Sequence, residues 1–109
     1  MQIPLEIAFK NMERSDAVEA RIREKAEKKF ERFAGRITSC RVVVEAPHRH
    51  QHHGNTFDVR IDIHVPGDEL VVTREHTDPA HTDVYVAIRD AFDAAVRQLD
   101  GHGRRKNGH

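Results

Sequence analysis

The histidines of this chain are candidates for a chemical role because of their residue type and their spacing. Residues 47–55 read PHRHQHHGN and contain four of the nine histidines. In an extended strand, His48, His50 and His52 would point to one side, and three imidazoles can bind zinc or nickel. No carboxylate or thiol ligand accompanies them at a fixed spacing. The stretch is therefore interpreted either as a metal site or as the polar tip of a loop between two strands.

Basic residues on a predicted helix form a second candidate site. On a helix with about 100° per residue, four of them fall within a stripe roughly 60° wide, beside the apolar face. A stripe that consists only of basic residues could lie along a phosphate backbone. The alternative is a solvated helix face with salt bridges such as Glu24 to Lys28. The stripe consists of Arg21, Lys25, Lys28 and Arg32.

Two other groups of basic residues could contact a polyanion. Arg89 and Arg97 should point outward from a second predicted helix, where several aspartates also point outward. Arg104, Arg105 and Lys106 form a basic C-terminal tail. This tail could touch nucleic acid, or it could simply be solvated.

Cys40 is the only cysteine, so no internal disulfide is possible, which fits a reducing cytoplasm. A catalytic role would need a base beside the thiol, and the alternative is a small core residue next to valines. There is no HExxH sequence, no phosphate-binding glycine loop and no Ser-His-Asp pattern. The sequence therefore makes no positive case for an enzyme, and we expect neither a catalytic residue nor a cofactor.

Alternating apolar residues predict the strands that carry these candidates. Ile3, Leu5, Ile7 and Phe9 alternate with other residues and predict a first strand. Pro4 places that strand at a sheet edge, because proline cannot donate a ladder hydrogen bond. Three further strands are predicted at residues 40–46, 57–65 and 70–74, with a tight turn at the Pro-Gly-Asp sequence of residues 66–68.

Two amphipathic helices are predicted from residues that recur at helical spacing. Ser15 should cap the first helix, and Gly35 should end it. Thr82 or Asp83 should cap the second, which should end near Gly101. The apolar face of the second helix is predicted to consist of Val84, Tyr85, Ile88, Ala91, Phe92, Ala95 and Leu99.

The 109 residues suffice for one domain. The order of elements predicts an α+β fold, β-α-β-β-β-α, with a four-stranded mixed sheet and both helices packed on one face. We expect a single domain over residues 1–101 and a flexible basic tail over residues 102–109. The formal net charge is zero, so composition alone predicts no polyanionic partner. No apolar run reaches the roughly 20 residues needed to span a membrane, and the N-terminus lacks the pattern of a secretion signal.

The order of elements and the segment DVYVAIRDAFDAAVRQL of residues 83–99 resemble a known family. This is the ribosome hibernation-promoting factor and ribosome-associated inhibitor A family, also called the sigma-54 modulation protein family. The likeness covers roughly residues 3–106, and its most specific parts are DVY with the following AI, and then RQL. Lys25 and Lys28 also match a basic-x-x-basic pattern of relatives. We expect a short form, without the C-terminal dimerisation domain of longer relatives.

The resemblance implies a fold similar in outline to a double-stranded RNA-binding domain. It also implies a translation inhibitor that binds ribosomal RNA of the small subunit in the decoding channel. There it would block the sites of messenger RNA and transfer RNA during stationary phase or stress. We accordingly expect a cytoplasmic protein that needs no cofactor, catalyses no reaction, has no membrane or DNA partner, and is monomeric off the ribosome.

The resemblance also assigns candidate RNA-binding residues. Lys25, Lys28, Arg97 and Arg105 match RNA-facing basic positions of relatives. Relatives often carry lysine where this chain has Ala94 and Gly101, so we expect weaker RNA binding by the second helix. Charge geometry adds the remaining candidates, Arg21, Arg32, Arg89, Arg104 and Lys106.

Overall fold

The chain folds into four strands and two helices in the predicted order. The computed structural model describes residues 3–47, 56–73 and 82–107, with side chains up to residue 103. The predicted α+β class is confirmed. The elements are β1 (Leu5–Lys10), α1 (Asp16–Phe30), a 3-10 turn (Glu31–Phe33), β2 (Ser39–Glu45), β3 (Asp58–Val65), β4 (Asp68–Thr73) and α2 (Val84–Asn107).

The strands form one mixed sheet in the order β1-β2-β3-β4. β1 and β2 are parallel, and the pairs β2-β3 and β3-β4 are antiparallel. This is the topology expected of one helical crossover followed by two hairpins. β1 lies at a sheet edge as predicted, and its proline precedes the strand. The Pro4 carbonyl accepts a hydrogen bond of 2.9 Å from the Cys40 N–H.

One face of the sheet is apolar and packs under both helices. The strand register places Val42, Ile61 and Val72 in one row, and each is at most 2 % exposed. Phe30 of α1 and Phe92 of α2 are fully buried, and their ring centroids are 5.2 Å apart. The two helices therefore share one core above one side of the sheet.

α1 begins where its sequence predicts and ends earlier. The Ser15 hydroxyl accepts a hydrogen bond of 3.2 Å from the Val18 N–H, as expected of an N-cap. The helix ends at Phe30 instead of Gly35. The chain then tightens into the 3-10 turn, which places the Phe33 side chain in the core.

A tight turn joins β3 and β4 at the predicted position. Gly67 has φ of 77°, a value that residues with a Cβ adopt rarely. Pro66 precedes it, and proline followed by glycine suits the two central positions of a type II turn. The sharp reversal keeps Val65 paired with Asp68.

The prediction that α2 ends near Gly101 is wrong, because the helix continues to Asn107. Glycine inside a helix costs only about 1 kcal/mol, and contacts with the rest of the fold offset it. The Arg36 guanidinium donates a hydrogen bond of 3.1 Å to the Leu99 carbonyl. The buried His102 places Nε2 3.4 Å from Asp68 Oδ2. The division of the chain into a domain over residues 1–101 and a flexible tail over residues 102–109 stays a prediction.

The two glycines of α2 should respond differently to alanine. A Cβ at Gly101 would meet nothing within 4 Å, whereas a Cβ at Gly103 would lie 2.6 Å from Arg36 Nη1. Gly101→Ala should therefore raise the free energy of unfolding by up to about 1 kcal/mol. Gly103→Ala should raise the free energy of unfolding less than Gly101→Ala does. The difference should be about 1 kcal/mol, the contribution of one displaced hydrogen bond. Urea unfolding measures both.

The control repeats Gly103→Ala in an Arg36→Ala background, where no guanidinium opposes the new methyl group. There the substitution should stabilise the protein about as much as Gly101→Ala does. Equal gains at both glycines in the native background would contradict this account of the helix end.

Candidate nucleic-acid interface

α1 and α2 lie side by side and run in the same direction. The Arg21 guanidinium carbon lies 4.9 Å from the centroid of the Tyr85 ring. Farther along both helices, Lys29 Nζ lies 3.4 Å from Asp93 Oδ1. Residue numbers thus rise together on the two helices, which makes them parallel. We call the exposed surface between them the helix groove.

The basic stripe of α1 borders the helix groove, and both of its ends contact α2. Arg21 reaches Tyr85, and Arg32 Nη2 lies 2.9 Å from Asp100 Oδ2. Arg21, Lys28 and Arg32 are exposed, and Lys25 is half-buried. Arg32 belongs to the 3-10 turn and not to α1. The structure thus brings all four residues of the stripe to one side of the fold.

The residues of the stripe differ in how far protein carboxylates neutralise them. Among the described residues, Lys25 has no ion-pair partner. Lys28 Nζ lies 3.5 Å from Glu24 Oε1, and both side chains are more than half exposed, so this pair contributes little. Lys25 and Lys28, together with the exposed Arg21, are therefore the stripe residues most available to an external phosphate.

Arg89 of α2 adds a positive charge to the same end of the groove. The Arg21–Tyr85 and Lys29–Asp93 contacts have the same offset in sequence, so Lys25 lies level with Arg89. Arg89 is exposed, and its Nη2 lies 3.1 Å from Oδ1 of the neighbouring Asp90. The N-terminal half of the groove therefore gathers cations from both helices, of which Arg21 and Lys25 have no carboxylate partner among the described residues.

The C-terminal half of the groove is neutralised. Asp93 pairs with Lys29 at 3.4 Å, and Asp100 pairs with Arg32 at 2.9 Å. Helical periodicity indicates only that both aspartates point outward from α2. Their pairing depends on the register between two helices more than 60 residues apart in the chain, which helical periodicity does not contain.

The remaining candidates of α2 lie apart from the stripe. Arg97 is exposed and has no ion-pair partner within the described part of the chain. Its helical position lies roughly 60° from that of Asp100, on the outer side of α2. Arg104, Arg105 and Lys106 belong to the last turns of α2, and their side chains lie outside the described ones. RNA binding by all of these residues stays a prediction.

Tyr85 departs from its predicted environment. The periodicity of α2 assigned it to the apolar face, but the structure leaves it 36 % exposed. It lies in the first turn of α2, where its own N–H donates a hydrogen bond of 2.9 Å to Asp83 Oδ1. The helix groove thus carries an exposed aromatic ring at its positive end.

The opposite face of the sheet is polar and rich in carboxylates. In the strand register, Arg41 stands beside Glu6 and Asp62, and Arg60 lies 2.9 Å from the same Asp62. The basic residues of this face are thus paired or outnumbered by acids. The carboxylates are Glu6, Glu45, Asp58, Asp62 and Glu69, and the basic residues are Lys10, Arg41 and Arg60.

Cys40 lies in the core, as the alternative to a catalytic role predicted. Its side chain is 3 % exposed and packs among the apolar residues of the sheet. Burial raises the pKa of its thiol to about 12, and the negative charge of Asp62 contributes. The thiolate that a nucleophile requires is therefore suppressed at neutral pH.

The histidine stretch falls outside the described residues, and so do His48, His50 and His52. Within the described residues, no group of three or more His, Cys, Asp or Glu side chains is arranged to hold a metal ion. His64 and His102 each approach a single carboxylate, on Glu69 and Asp68 respectively. No observation on the described part of the chain favours a metal site.

Fold and surface together define a two-layer α+β domain with a basic groove between two parallel helices and an acidic sheet face. The chain belongs to the sigma 54 modulation protein / S30EA ribosomal protein family, whose model matches residues 5–107. The family identified from the sequence is therefore confirmed. No curated protein sequence matches the chain. Neither helix of the described residues is long and apolar enough to cross a membrane.

Two solved structures share the fold. One is the Protein Y N-terminal domain of Thermus thermophilus, with 21% identity and a TM-score of 0.60, covering 91% of this chain and 96% of that one. The other is a ribosomal subunit interface protein from Coxiella burnetii, with 15% identity and a TM-score of 0.67, covering 93% of this chain and 98% of that one. At these identities the likeness concerns the fold.

Removing the groove carboxylates should strengthen binding to polyanions. In the double variant Asp93→Asn, Asp100→Asn, Lys29 and Arg32 lose their partners and become available to phosphate or sulfate groups. The variant should elute from a heparin column at higher salt than the native protein. Glu6→Gln, Glu69→Gln is the matched control, since it changes net charge equally on the sheet face. Elution of both variants at the same salt would show that only net charge matters.

Cys40 should resist alkylation as long as the protein is folded. At pH 8, iodoacetamide should label it slowly in buffer and rapidly in urea, with Cys40→Ser as the unlabelled control. The raised pKa also determines the direction in which the stability of the fold changes with pH. The folded state holds the thiol proton, so this stabilising contribution is complete below the unfolded pKa of about 8.5. It is lost as pH rises toward about 12. Rapid labelling of the folded protein would contradict the buried placement.

Proposed function

We propose that this protein binds ribosomal RNA of the small ribosomal subunit in the decoding channel and blocks the sites of messenger RNA and transfer RNA. The observation that carries the proposal is the positive half of the helix groove. There Lys25, which has no ion-pair partner among the described residues, lies level with Arg89, and Arg21 and Lys28 lie about one turn to either side of Lys25 on α1. Membership of an S30EA ribosomal protein family supports a ribosomal partner, as does the name of the Coxiella burnetii protein.

The helix groove has side chains that can bind a folded RNA without reading its base sequence. Lys and Arg neutralise phosphates and position the protein without reading bases. RNA helices present shape, phosphates and 2′-hydroxyls to such a surface. The separation of charge orients the protein, since its helices would face the RNA and its acidic sheet would face away. Arg97 and the basic residues 104–106 would extend the contact along α2.

Inhibition in this proposal needs no reaction. The bound domain excludes messenger RNA and transfer RNA by occupying their space, so affinity and residence time determine its effect. The protein would act in the cytoplasm during stationary phase or stress, as a monomer before it binds. Idle ribosomes would be stored in this way until the protein dissociates.

Co-sedimentation with purified small subunits across a salt series tests the proposal. The native protein should pellet at low salt and lose affinity steeply as salt rises. Lys25→Gln, Lys28→Gln should bind more weakly. Its log–log salt slope should be smaller by roughly two, because each phosphate contact contributes about one. Its fold should be intact, because Lys28 is exposed, Lys25 is only half-buried and neither belongs to the core.

The matched control is Lys10→Gln, Arg41→Gln, which removes the same charge from the sheet face. It should bind like the native protein. An equal loss in the two variants would show attraction by net charge alone, without an interface on the helices. Absence of the native protein from the pellet at low salt would refute the proposed function.

A further inference from the structure

Tyr85 is the only tyrosine of a chain that has no tryptophan, and the structure leaves its ring exposed. Among the described residues, only Val71 and Tyr85 are large apolar side chains with 36 % exposure. The phenolic hydroxyl has no hydrogen-bond partner within the described residues. Exposed aromatic rings with a free polar end are enriched where proteins meet partners. Packing within the fold therefore does not explain why an aromatic ring is exposed at this position.

A cation already lies over the ring. The Arg21 guanidinium carbon is 4.9 Å from the Tyr85 centroid, a distance typical of cation–π contacts. Arg21 is exposed and has no ion-pair partner in the part of the chain that the structure describes. The planar guanidinium can stack on an aromatic ring on one side and on a second flat group on the other.

We propose that Tyr85 and Arg21 form a stacking site for an unpaired base of RNA. The inference rests on the proposed function and deepens it, because it names a base-binding position beside the phosphate-binding one. Unpaired bases stack on aromatic rings and guanidinium planes, whereas bases within a duplex are hidden in their own stack. The site therefore selects a nucleotide that protrudes from a loop, a bulge or a strand end.

The surroundings of the ring suit a nucleotide and not an isolated base. Lys25 and Arg89 each lie four residues beyond Arg21 and Tyr85, about 6 Å along the parallel helices. They are placed to neutralise the phosphate next to the stacked base. The Tyr85 hydroxyl can exchange hydrogen bonds with a base edge or a 2′-hydroxyl. Ring, guanidinium and two cations thus correspond to the parts of one nucleotide and its linkage.

Base stacking and phosphate neutralisation depend differently on salt concentration. A salt series therefore distinguishes the residue that stacks on a base from the residues that neutralise phosphates. Tyr85→Leu keeps an apolar side chain but removes the ring, and Tyr85→Phe keeps the ring. Tyr85→Leu should weaken binding to small subunits about 10-fold, within the range for loss of one stacked base, and leave the salt slope unchanged. Tyr85→Phe should bind within about 2-fold of the native protein, since the π face carries most of the interaction. Circular dichroism and thermal unfolding verify that each variant is folded.

Tyr85→Trp makes the site its own reporter, because this tryptophan would be the only one in the chain. Its fluorescence, excited at a wavelength where nucleobases absorb little, should be quenched by oligouridylate at low salt and by small subunits. An abasic oligonucleotide of equal length and charge should not quench it. Arg21→Ala should reduce the quenching, and Arg21→Lys should restore it only in part.

The outcomes separate the two proposals. Equal quenching by abasic and base-containing oligonucleotides, or native affinity of Tyr85→Leu for small subunits, would overturn the stacking site and leave the proposed function intact. If the native protein fails to pellet with small subunits, the proposed function fails. The oligonucleotide comparison then still decides whether the ring binds bases.

Discussion

Burial of one face of the four-stranded sheet is the constraint on which the other features depend. The apolar rows of β2, β3 and β4 need a cover, and among the described elements α1 and α2 supply it. The parallel pairing of β1 with β2 places α1 above the sheet. α2 then packs beside it, where Phe30 meets Phe92. The helix groove exists because both helices must share this face.

The arrangement of charge follows from the same constraint. The helices turn apolar stripes inward and must expose their charged residues, while the uncovered sheet face exposes alternating polar residues. A chain of zero net charge thereby acquires a basic stripe along the helix groove and an acidic sheet face. The protein is 20 Å thick in its shortest dimension, whereas charges are screened over about 8 Å at physiological ionic strength. The acidic sheet therefore weakens the attraction of a phosphate to the groove only slightly.

Sequence reasoning succeeded where local rules decide the structure and failed where contacts between distant segments decide it. Alternation in β3, the Ser15 cap and the Pro66-Gly67 turn are local signals, and the structure has all of them. The pairing of Lys29 with Asp93 depends on helix register, which no window of sequence reveals. Tyr85 had the periodicity of a core residue, but no signal in the sequence indicated that α1 would leave its ring exposed.

The end of α2 shows the same limit at a glycine. Gly101 predicted a helix end because glycine is a common C-terminal signal. That signal is weak, since one helical glycine costs about 1 kcal/mol, and Arg36 and His102 supply distant contacts of comparable size. His102 can dock on Asp68 only because the helix continues. Long-range contacts thus override a local signal of this strength. Neither helical periodicity nor charge pattern identifies the residues that make these contacts.

In the proposed function, Asp93 and Asp100 would limit non-specific binding of the helix groove to RNA. Phosphate contacts strengthen binding to every RNA alike, so each further free cation raises non-specific affinity along with specific affinity. Asp93 and Asp100 hold two cations in internal pairs, which confines the free charge to one half of the groove. A stacked base adds binding free energy without adding charge, and only where an unpaired nucleotide lies at the right distance from the phosphates. In the proposed complex, pairing surplus cations while exposing one aromatic ring would shift the balance from general attraction toward recognition of one place on a folded RNA.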